Sequence, residues 1–374
     1  MSVERDAVIG AGIVGLALAY ALAKRGRQVA VFEASRPAQG ASLRNFGTLW
    51  PIGQPAGPRR ALALASLAIW RDVLGGAGAW WAPEGSLHLA YHDDELRVAT
   101  EFAGGASADD FSCRLLDPAE TTARCRHVRP EGLLGSLWSP HEVQVNPRQV
   151  LERVPRWLAQ RWHVRFETAT RVTSCDGGTV RSGNRAWTVD RVWLATGDDL
   201  KTLYPDVFEA LGLMTCKLQM MRTAPVPWSL GPILAAGLTF GHYECFAQCP
   251  SLPALKARLK RDWPSQTACG VHVLVAQHEA RHLVLGDSHE YDDAITPFDK
   301  PAIDDLVLAY LRTFLDAHTI NIVERWHGVY VRHANAPYCV LSPDAGVVAV
   351  AALGGHGMTL SFGLAEQVVS QLVD

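Results

Sequence analysis

Several common signatures of function are missing from this 374-residue sequence. It contains no C-x-x-C pair, no H-E-x-x-H motif, no P-loop, no internal repeat and no low-complexity tract. No stretch reaches the roughly 18 uninterrupted apolar residues that a transmembrane helix needs. These absences give no support to a zinc protease, to a P-loop nucleotide hydrolase or to a protein with a membrane span.

Charge, cysteine and histidine patterns exclude further classes. The net charge of −3 provides no overall field that would attract nucleic acid or anionic membranes. The eight cysteines are scattered and the 14 histidines do not recur at metal-ligand spacings, so we expect free thiols and no bound metal. The N-terminus has no basic region of the kind that precedes a signal sequence, so we expect a cytoplasmic location.

The first residues instead contain a dinucleotide-binding pattern. An apolar strand, Asp6 to Ile9, leads into G-x-G-x-x-G at Gly10, Gly12 and Gly15. A helical pattern and a second apolar strand ending at Glu33 follow. These glycines permit a tight turn and a close approach of a pyrophosphate to the helix N-terminus, and the acid can accept ribose hydroxyls. Glu33 argues against a 2′-phosphate, so the cofactor is FAD or NAD.

Two further strand ends favour FAD. The apolar strand Arg191 to Leu194 runs into Ala195-Thr196-Gly197, and Val347 to Ala352 runs into Gly354-Gly355-His356-Gly357 before a helix from about Ser361. Ligands of open α/β sheets bind outside the carboxyl ends of the strands. Three such ends suit one extended ligand, whereas an NAD site needs only the first fingerprint.

The order of the motifs resembles the glycine oxidase, sarcosine oxidase and D-amino acid oxidase superfamily of flavoproteins. The resemblance covers most of the chain and is closest to a branch associated with aminophosphonate breakdown. Its motifs are Gly10 to Gly15 with Glu33, Ser42-x-Arg44-Asn45-x-Gly47, Val145-Asn146-Pro147, Ala195-Thr196-Gly197, Arg325-Trp326-x-Gly328 and Gly354-Gly355-His356-Gly357-Met358.

The resemblance implies an α/β fold, α+β overall, with a Rossmann-like FAD-binding domain and an inserted antiparallel-sheet substrate domain. We expect the FAD domain to comprise residues 1–80, 141–212 and 325–374, and the substrate domain residues 81–140 and 213–324. The cofactor would be bound by Gly10, Gly12, Ile13, Val14, Gly15, Glu33, Ala34, Ser42, Arg44, Asn45, Gly47, Val172, Ala195, Thr196, Gly197, Gly354, Gly355, His356, Gly357, Met358 and Thr359.

The chemistry implied by the resemblance is oxidation of a C–N bond in a small amine that carries an acidic group. A hydride passes to the flavin, the imine hydrolyses, and O2 reoxidises the flavin with release of H2O2. This reaction requires no catalytic side-chain pair, and the sequence offers none. A dehydrogenase that passes electrons to a quinone or a protein, and a flavin-binding subunit of a larger complex, remain alternatives.

The sequence departs from the family where the substrate's acid should bind. Tyr330 stands where amino acid oxidases often have an arginine, Thr359 follows Gly357-Met358 where sarcosine oxidases have a lysine, and Val284 aligns with an oxygen-activating lysine. Either another cation binds the acidic group of the substrate, or that group is a phosphonate rather than a carboxylate. The candidate substrate-binding residues are Arg44, His242, Tyr243, His289, Tyr330, Arg332 and Thr359, with His356 in the flavin loop.

The sites of covalent flavin attachment in the family also differ here. Leu43 and Arg44 occupy the region of the first site and Tyr330-Val331 that of the second, so we expect FAD to be bound non-covalently. The sequence indicates no nucleic-acid partner, and it leaves the oligomeric state open.

Overall fold

A computed structural model describes residues 5–105, 112–292, 295–316 and 320–373. Residues 1–4, which include most of the N-terminal segment considered above, lie outside the described residues. The strands, in chain order, are β1 Arg5–Ile9, β2 Gln28–Glu33, β3 Thr48–Leu49, β4 Trp81–Ala82, β5 Ser86–Ala90, β6 Arg114–Leu116, β7 Gly135–Ser139, β8 Val143–Val145, β9 Arg165–Thr168, β10 Ser174–Cys175, β11 Thr179–Ser182, β12 Arg185–Thr188, β13 Arg191–Leu194, β14 Met214–Pro225, β15 Ile233–Ala235, β16 Leu274–Gln277, β17 His282–Gly286, β18 Glu290–Asp292, β19 Ile322–Arg332, β20 Cys339–Asp344 and β21 Val347–Ala351.

The α-helices alternate with these strands. They are α1 Ile13–Lys24, α2 Pro58–Ala77, α3 Asp93–Gly104, α4 Pro118–Arg124, α5 Pro147–Trp162, α6 Pro205–Glu209, α7 Gly237–His242, α8 Leu252–Asp262, α9 Pro264–Ala268, α10 Pro301–Leu311 and α11 Gly357–Val373. Short 3₁₀ helices cover Pro51–Gly53, Glu244–Phe246 and Gly354–His356. Among the described residues, no helix is both long and apolar enough to cross a membrane.

A six-stranded sheet forms the centre of the first domain. Its order is β20-β21-β13-β1-β2-β9, and all its pairs are parallel except β20–β21. One face packs on α1, α2, α5 and α11, and the opposite face packs on the small sheet β10-β11-β12. Both faces are therefore covered, which explains why these strands read as continuous apolar runs.

A nine-stranded mixed sheet forms the second domain. Its order is β18-β14-β17-β16-β15-β5-β7-β6, with β19 pairing antiparallel to β14. A large apolar core lies between this sheet and its helices. The long strand β19 connects the domains, because it pairs with β14 and ends at Arg332, which bridges Leu353 in the first domain.

The expected fold class is confirmed, whereas some element bounds differ. The C-terminal helix begins at Gly357 rather than near Ser361, so the glycine loop itself forms the helix start. The strand β16 begins at Leu274, and the residues before it are irregular where His272 lines a cavity. The exact domain bounds remain a prediction.

Candidate active site

The turn after β1 depends on two glycines. Gly10 has φ +105°, and a Cβ there would lie 2.3 Å from the carbonyl oxygen of Ala195. A Cβ on Gly15 would lie only 1.9 Å from the carbonyl oxygen of Gly10. Because both contacts are with backbone, no side-chain movement can relieve them. The turn therefore brings the first strand, the helix and the Ala195 strand end together only with glycine at both positions.

Glu33 ends β2 and holds the glycine turn in place. One carboxylate oxygen accepts the N–H of Ala11 at 2.9 Å, and the other accepts the N–H of Ser35 at 2.8 Å. At the neighbouring helix start, the Ser42 hydroxyl oxygen accepts the N–H of Ile13 at 2.9 Å. The turn and the segment after β2 are thus connected by side chains that both line the same cavity.

This nucleotide cavity has a volume of about 280 Å³ and lies at the carboxyl ends of the parallel strands. The backbone of Gly12 borders it, and an added Cβ would meet only the Ser42 hydroxyl, at 3.2 Å. Glu33 provides acceptors at one side, while the N-terminus of α1 offers N–H groups at another. That donor and acceptor arrangement fits the adenosine and pyrophosphate parts of a dinucleotide.

The loop at residues 41–47 is held by hydrogen bonds within it and by one from the strand β19. The Asn45 amide donates to the carbonyl oxygens of Ala41 and Ser42, and its oxygen accepts the N–H of Gly47. Trp326 donates through its indole N–H to the carbonyl oxygen of Arg44 at 3.1 Å. These contacts give a structural reason for both the Ser-x-Arg-Asn-x-Gly and the Trp-x-Gly patterns.

A larger junction cavity, about 480 Å³, adjoins the nucleotide cavity between the two domains. Ile13, Ser42, Tyr330, Leu353 and Gly354 line both cavities. An extended ligand can therefore run from the glycine turn into the junction cavity.

The C-terminal glycine loop forms one wall of the junction cavity. Tyr330 lies against it, with its hydroxyl 3.7 Å from where a Cβ on Gly355 would be. His356 contacts the Gln54 side chain at 3.0 Å, and burial together with the nearby Arg59 lowers the pKa of His356 to about 4. The Thr359 hydroxyl accepts the N–H of Trp50 at 2.9 Å, so this side chain has a partner within the fold.

Three histidines lie together on the wall of the junction cavity. His242 ends α7, His272 precedes β16, and His289 follows β17. One ring nitrogen from each of the three lies within 4.8 Å of the other two. Among the described residues, this is a grouping that could hold a metal ion. Sequence spacing gave no sign of this grouping, and the absence of a bound metal stays a prediction.

Most predicted site residues reach one of the two cavities. The exceptions are Gly15 and Gly47, which act by close packing: a Cβ on Gly47 would lie 2.0 Å from the Val145 carbonyl oxygen. All seven candidate substrate-binding residues line the junction cavity.

Sequence reasoning missed His272, Asp287 and Tyr291, which also line the junction cavity. The backbones of His272 and Asp287 exchange two hydrogen bonds, continuing the antiparallel pairing of β16 and β17. That pairing, had it been predicted, would have placed polar residues from both strand ends side by side.

Comparison with known families agrees with this geometry. Residues 7–371 match the DAO family model, described as FAD dependent oxidoreductase. The chain belongs to this family. It is therefore an FAD-dependent oxidoreductase, and its two adjoining cavities, with the Glu33 carboxylate at one end and the glycine loop at the other, fit an extended FAD.

Individual relatives are distant. The chain is 24% identical over 352 residues to an opine oxidase subunit of Agrobacterium tumefaciens, covering 88% of this chain and 82% of the relative. It is 31% identical over 163 residues to the tRNA 5-methylaminomethyl-2-thiouridine biosynthesis bifunctional protein MnmC of Polaromonas sp., a match that spans 40% of this chain and only 23% of MnmC.

A solved structure of similar fold is glycine oxidase from Bacillus cereus. Its TM-score is 0.79 at 17% sequence identity, and the alignment covers 98% of this chain and 94% of that one. At this identity the likeness concerns the fold.

Proposed function

We propose that this protein oxidises the C–N bond of a small primary or secondary amine that carries an acidic group. Amino acids, N-methyl amino acids and aminophosphonates are the substrate classes. The observation that carries the proposal is Arg332, which lines the junction cavity, contacts the ring and hydroxyl of Tyr291, and forms no ion pair among residues 5–105, 112–292, 295–316 and 320–373. A fixed cation without a carboxylate partner suits an acidic substrate group.

The junction cavity would place the substrate beside the glycine loop. The bound FAD supplies the acceptor for the hydride that leaves the carbon next to nitrogen. The chain would position the substrate. Arg332 would hold the acidic group, and both Arg332 and Tyr330 lie against the glycine loop. The positive charge of Arg332 also disfavours an ammonium group nearby and so favours the neutral amine that hydride loss requires.

The chain would also support the charge that FAD acquires. The helix α11 begins at Gly357, at the junction cavity, so the partial positive charge of its N-terminus would stabilise negative charge there. Water would then hydrolyse the imine to a carbonyl compound and an amine or ammonia. O2 would take up the two electrons and two protons and leave as H2O2.

One observation favours transfer to a quinone or protein acceptor instead. Val284 is fully buried in β17 and gives no charge near the junction cavity, where the resemblance leads one to look for an oxygen-activating lysine. The likeness to a protein named as an oxidase subunit also suits a flavin subunit of a larger complex. Peroxide measurement distinguishes these outcomes.

The proposal is tested by anaerobic bleaching of the flavin absorbance. The panel contains glycine, sarcosine, proline, 2-aminoethylphosphonate and its N-methyl derivative, with ethylamine as the control that lacks an acidic group. We expect at least one acidic amine to bleach the flavin and ethylamine to leave it oxidised. Bleaching by none of the acidic amines would refute the proposal. Bleaching by glycine, sarcosine or proline with no effect of either phosphonate would refute the aminophosphonate assignment.

Two further measurements test the electron acceptor and the non-covalent binding of FAD. Admitting air after bleaching should produce one equivalent of H2O2 per turnover, and its absence despite bleaching would favour another electron acceptor. Denaturation should release the yellow cofactor into solution, because the chain has no cysteine or histidine at the family's attachment positions. Colour retained on the unfolded chain would contradict non-covalent binding.

A further inference from the structure

The turn between β16 and β17 reaches from the nine-stranded sheet to the elements around the six-stranded sheet. In this turn, Glu279 accepts from the side-chain amide of Asn146, the residue that caps α5, at 2.9 Å. The neighbouring residue, His278, lies against the loop at residues 41–47. A turn of one sheet therefore touches a loop that we expect to bind FAD in the other domain.

His278 forms a hydrogen bond with the backbone of that loop. Its ring nitrogen Nε2 lies 3.1 Å from the carbonyl oxygen of Phe46. A carbonyl only accepts, so Nε2 carries the proton and donates it. Burial lowers the pKa of His278 to about 4, so the ring is neutral near pH 7. The bond is thus made by one defined tautomer, and it is shielded from water because both residues are buried.

The residue after Phe46 has to be glycine for this contact to form. Gly47 has φ +73°, and a Cβ there would lie 2.9 Å from His278 Nε2 as well as 2.0 Å from the Val145 carbonyl oxygen. The imidazole thus occupies the space in which a side chain at position 47 would stand. The last glycine of the Ser-x-Arg-Asn-x-Gly pattern therefore admits a histidine from the other sheet.

A second side chain of the nine-stranded sheet holds the same loop. Trp326 on β19 donates its indole N–H to the carbonyl oxygen of Arg44 at 3.1 Å. Two carbonyls at alternate positions of the loop therefore each accept one N–H from that sheet. Arg44, Asn45 and Phe46 all line the junction cavity. Loss of either bond would let the groups that we expect to contact FAD change position.

The hairpin that carries His278 is a rigid support. Every residue of β16 and all but the first residue of β17 are buried. The two strands pair with each other, and β15 and β14 pair with their outer edges. A side chain at the end of such a hairpin is placed more precisely than one on an unsupported loop. The sheet therefore holds the imidazole in place, and the imidazole holds the loop at residues 41–47.

We propose that His278 is a positioning residue for FAD, and that its hydrogen bond to Phe46 keeps the loop at residues 41–47, and with it the Arg44 guanidinium, at a fixed place in the cofactor site. Arg44 donates to the His327 carbonyl oxygen at 3.4 Å and forms no ion pair within the described part of the chain. The inference goes beyond the proposed function, because it concerns the cofactor and holds whichever amine is oxidised.

The charge of Arg44 gives the proposal a consequence that a purely structural role would not have. FAD gains electrons on reduction, and a nearby guanidinium stabilises the reduced form more than the oxidised form. If the loop moves when the His278 bond is lost, Arg44 stabilises this added charge less well. The midpoint potential of the bound flavin then becomes more negative, in addition to any loss of FAD affinity.

The experiment compares three variants of the full chain with the wild type. His278→Leu removes the donor, whereas His278→Gln can place an amide N–H where Nε2 stands. The matched control is His282→Leu, at the other end of the same turn. His282 Nδ1 lies 2.7 Å from the carbonyl oxygen of Thr223 on β14, and this residue lines neither cavity. The control therefore removes an equivalent bond that does not reach the loop at residues 41–47.

Two quantities are measured: the dissociation constant of FAD, by fluorescence titration of apoprotein, and the midpoint potential of the bound flavin, by anaerobic titration against a reference dye. We expect His278→Leu to raise the dissociation constant about tenfold. A further tenfold loss for reduced FAD would lower the two-electron potential by about 30 mV. His278→Gln should restore most of both values. His282→Leu should lower the thermal midpoint but leave the dissociation constant and the potential as in the wild type.

Three results would overturn the inference. They are a wild-type potential in His278→Leu, an equal change of potential in His282→Leu, and a His278→Gln variant no closer to wild type than His278→Leu. If His278→Leu does not fold, His278→Asn replaces it, because its shorter amide keeps a polar group but does not reach Phe46. No amine is used in these measurements, so bleaching by none of the acidic amines would refute the proposed function and leave this inference standing.

Discussion

Replacing Glu33 with glutamine should weaken FAD binding through two distinct effects. The carboxylate accepts one backbone N–H on each oxygen, from Ala11 at 2.9 Å and from Ser35 at 2.8 Å. A carboxamide has only one acceptor oxygen, so its NH₂ group would face one of these N–H donors and leave it unpaired. The variant would also present a weaker acceptor to a ribose hydroxyl in the nucleotide cavity.

The size of the effect follows from the bonds lost. A hydrogen bond to a charged group contributes about 1.5–3 kcal/mol, and part of this is retained because the amide oxygen still accepts once. We expect the dissociation constant of FAD to rise by about 10- to 100-fold, which corresponds to about 1.4–2.8 kcal/mol. The thermal midpoint of the apoprotein should also fall, because one of the two contacts that hold the glycine turn is lost.

The assay is a fluorescence titration of apoprotein with FAD, using Glu167→Gln as the control. Glu167 lies on the neighbouring strand β9 and pairs with Arg165 and Arg185 at the surface, where ion pairs contribute little. The control should bind FAD as the wild type does. A dissociation constant for Glu33→Gln within twofold of wild type would refute the role of this carboxylate in both the turn and the nucleotide site.

Three other outcomes are expected. Gly15→Ala should prevent stable FAD retention, because its Cβ would lie 1.9 Å from the Gly10 carbonyl oxygen. The control Gly75→Ala in α2 meets nothing within 4 Å and should raise stability by up to about 1 kcal/mol. Thermal melts and the flavin content of the purified variants test both outcomes. Arg332→Gln should raise the dissociation constant of an acidic amine by about tenfold or more with an unchanged flavin spectrum, and unchanged affinity would contradict its proposed role. Burial lowers the pKa of His88 from 6.5 to about 3. As the pH falls below about 6.5, His88 is protonated in the unfolded chain but stays neutral in the folded protein, so its contribution to the free energy of unfolding decreases. His88→Leu should therefore make the free energy of unfolding, measured with urea, less dependent on pH in this acidic range.

The first domain could be predicted from sequence because its signals are local. The glycine turn, the acid at the end of the next strand and the Ala195-Thr196-Gly197 strand end each occupy a few consecutive residues. Parallel strands buried on both faces also give apolar runs that are easily read. Backbone packing then explains even the two predicted residues, Gly15 and Gly47, that do not line a cavity.

The grouping of His242, His272 and His289 could not be predicted in the same way. Its members come from a helix end and from two strand ends, and only the order of the strands in the nine-stranded sheet brings them together. Spacing along the chain says nothing about such a group, because each histidine alone is compatible with a surface or hydrogen-bonded structural position. The sequence pattern predicts too late a start for α11 for a related reason: glycines lower helix propensity, yet here Gly357 opens the helix.

The position of Arg332 also bears on the length of the substrate. The resemblance places a carboxylate-binding arginine at position 330, whereas the cationic side chain here lies two residues further along β19, on the same face of the strand. Two residues of a β-strand span about 7 Å, so the anchor for the acidic group is displaced by that order of distance. Arg332 nevertheless lies against the glycine loop, because its Cβ is 3.3 Å from where a Cβ on Gly354 would be. We therefore expect the position of the acidic group along the substrate to matter, so glycine and 2-aminoethylphosphonate should bleach the flavin at clearly different rates, and equal rates would contradict a changed anchor.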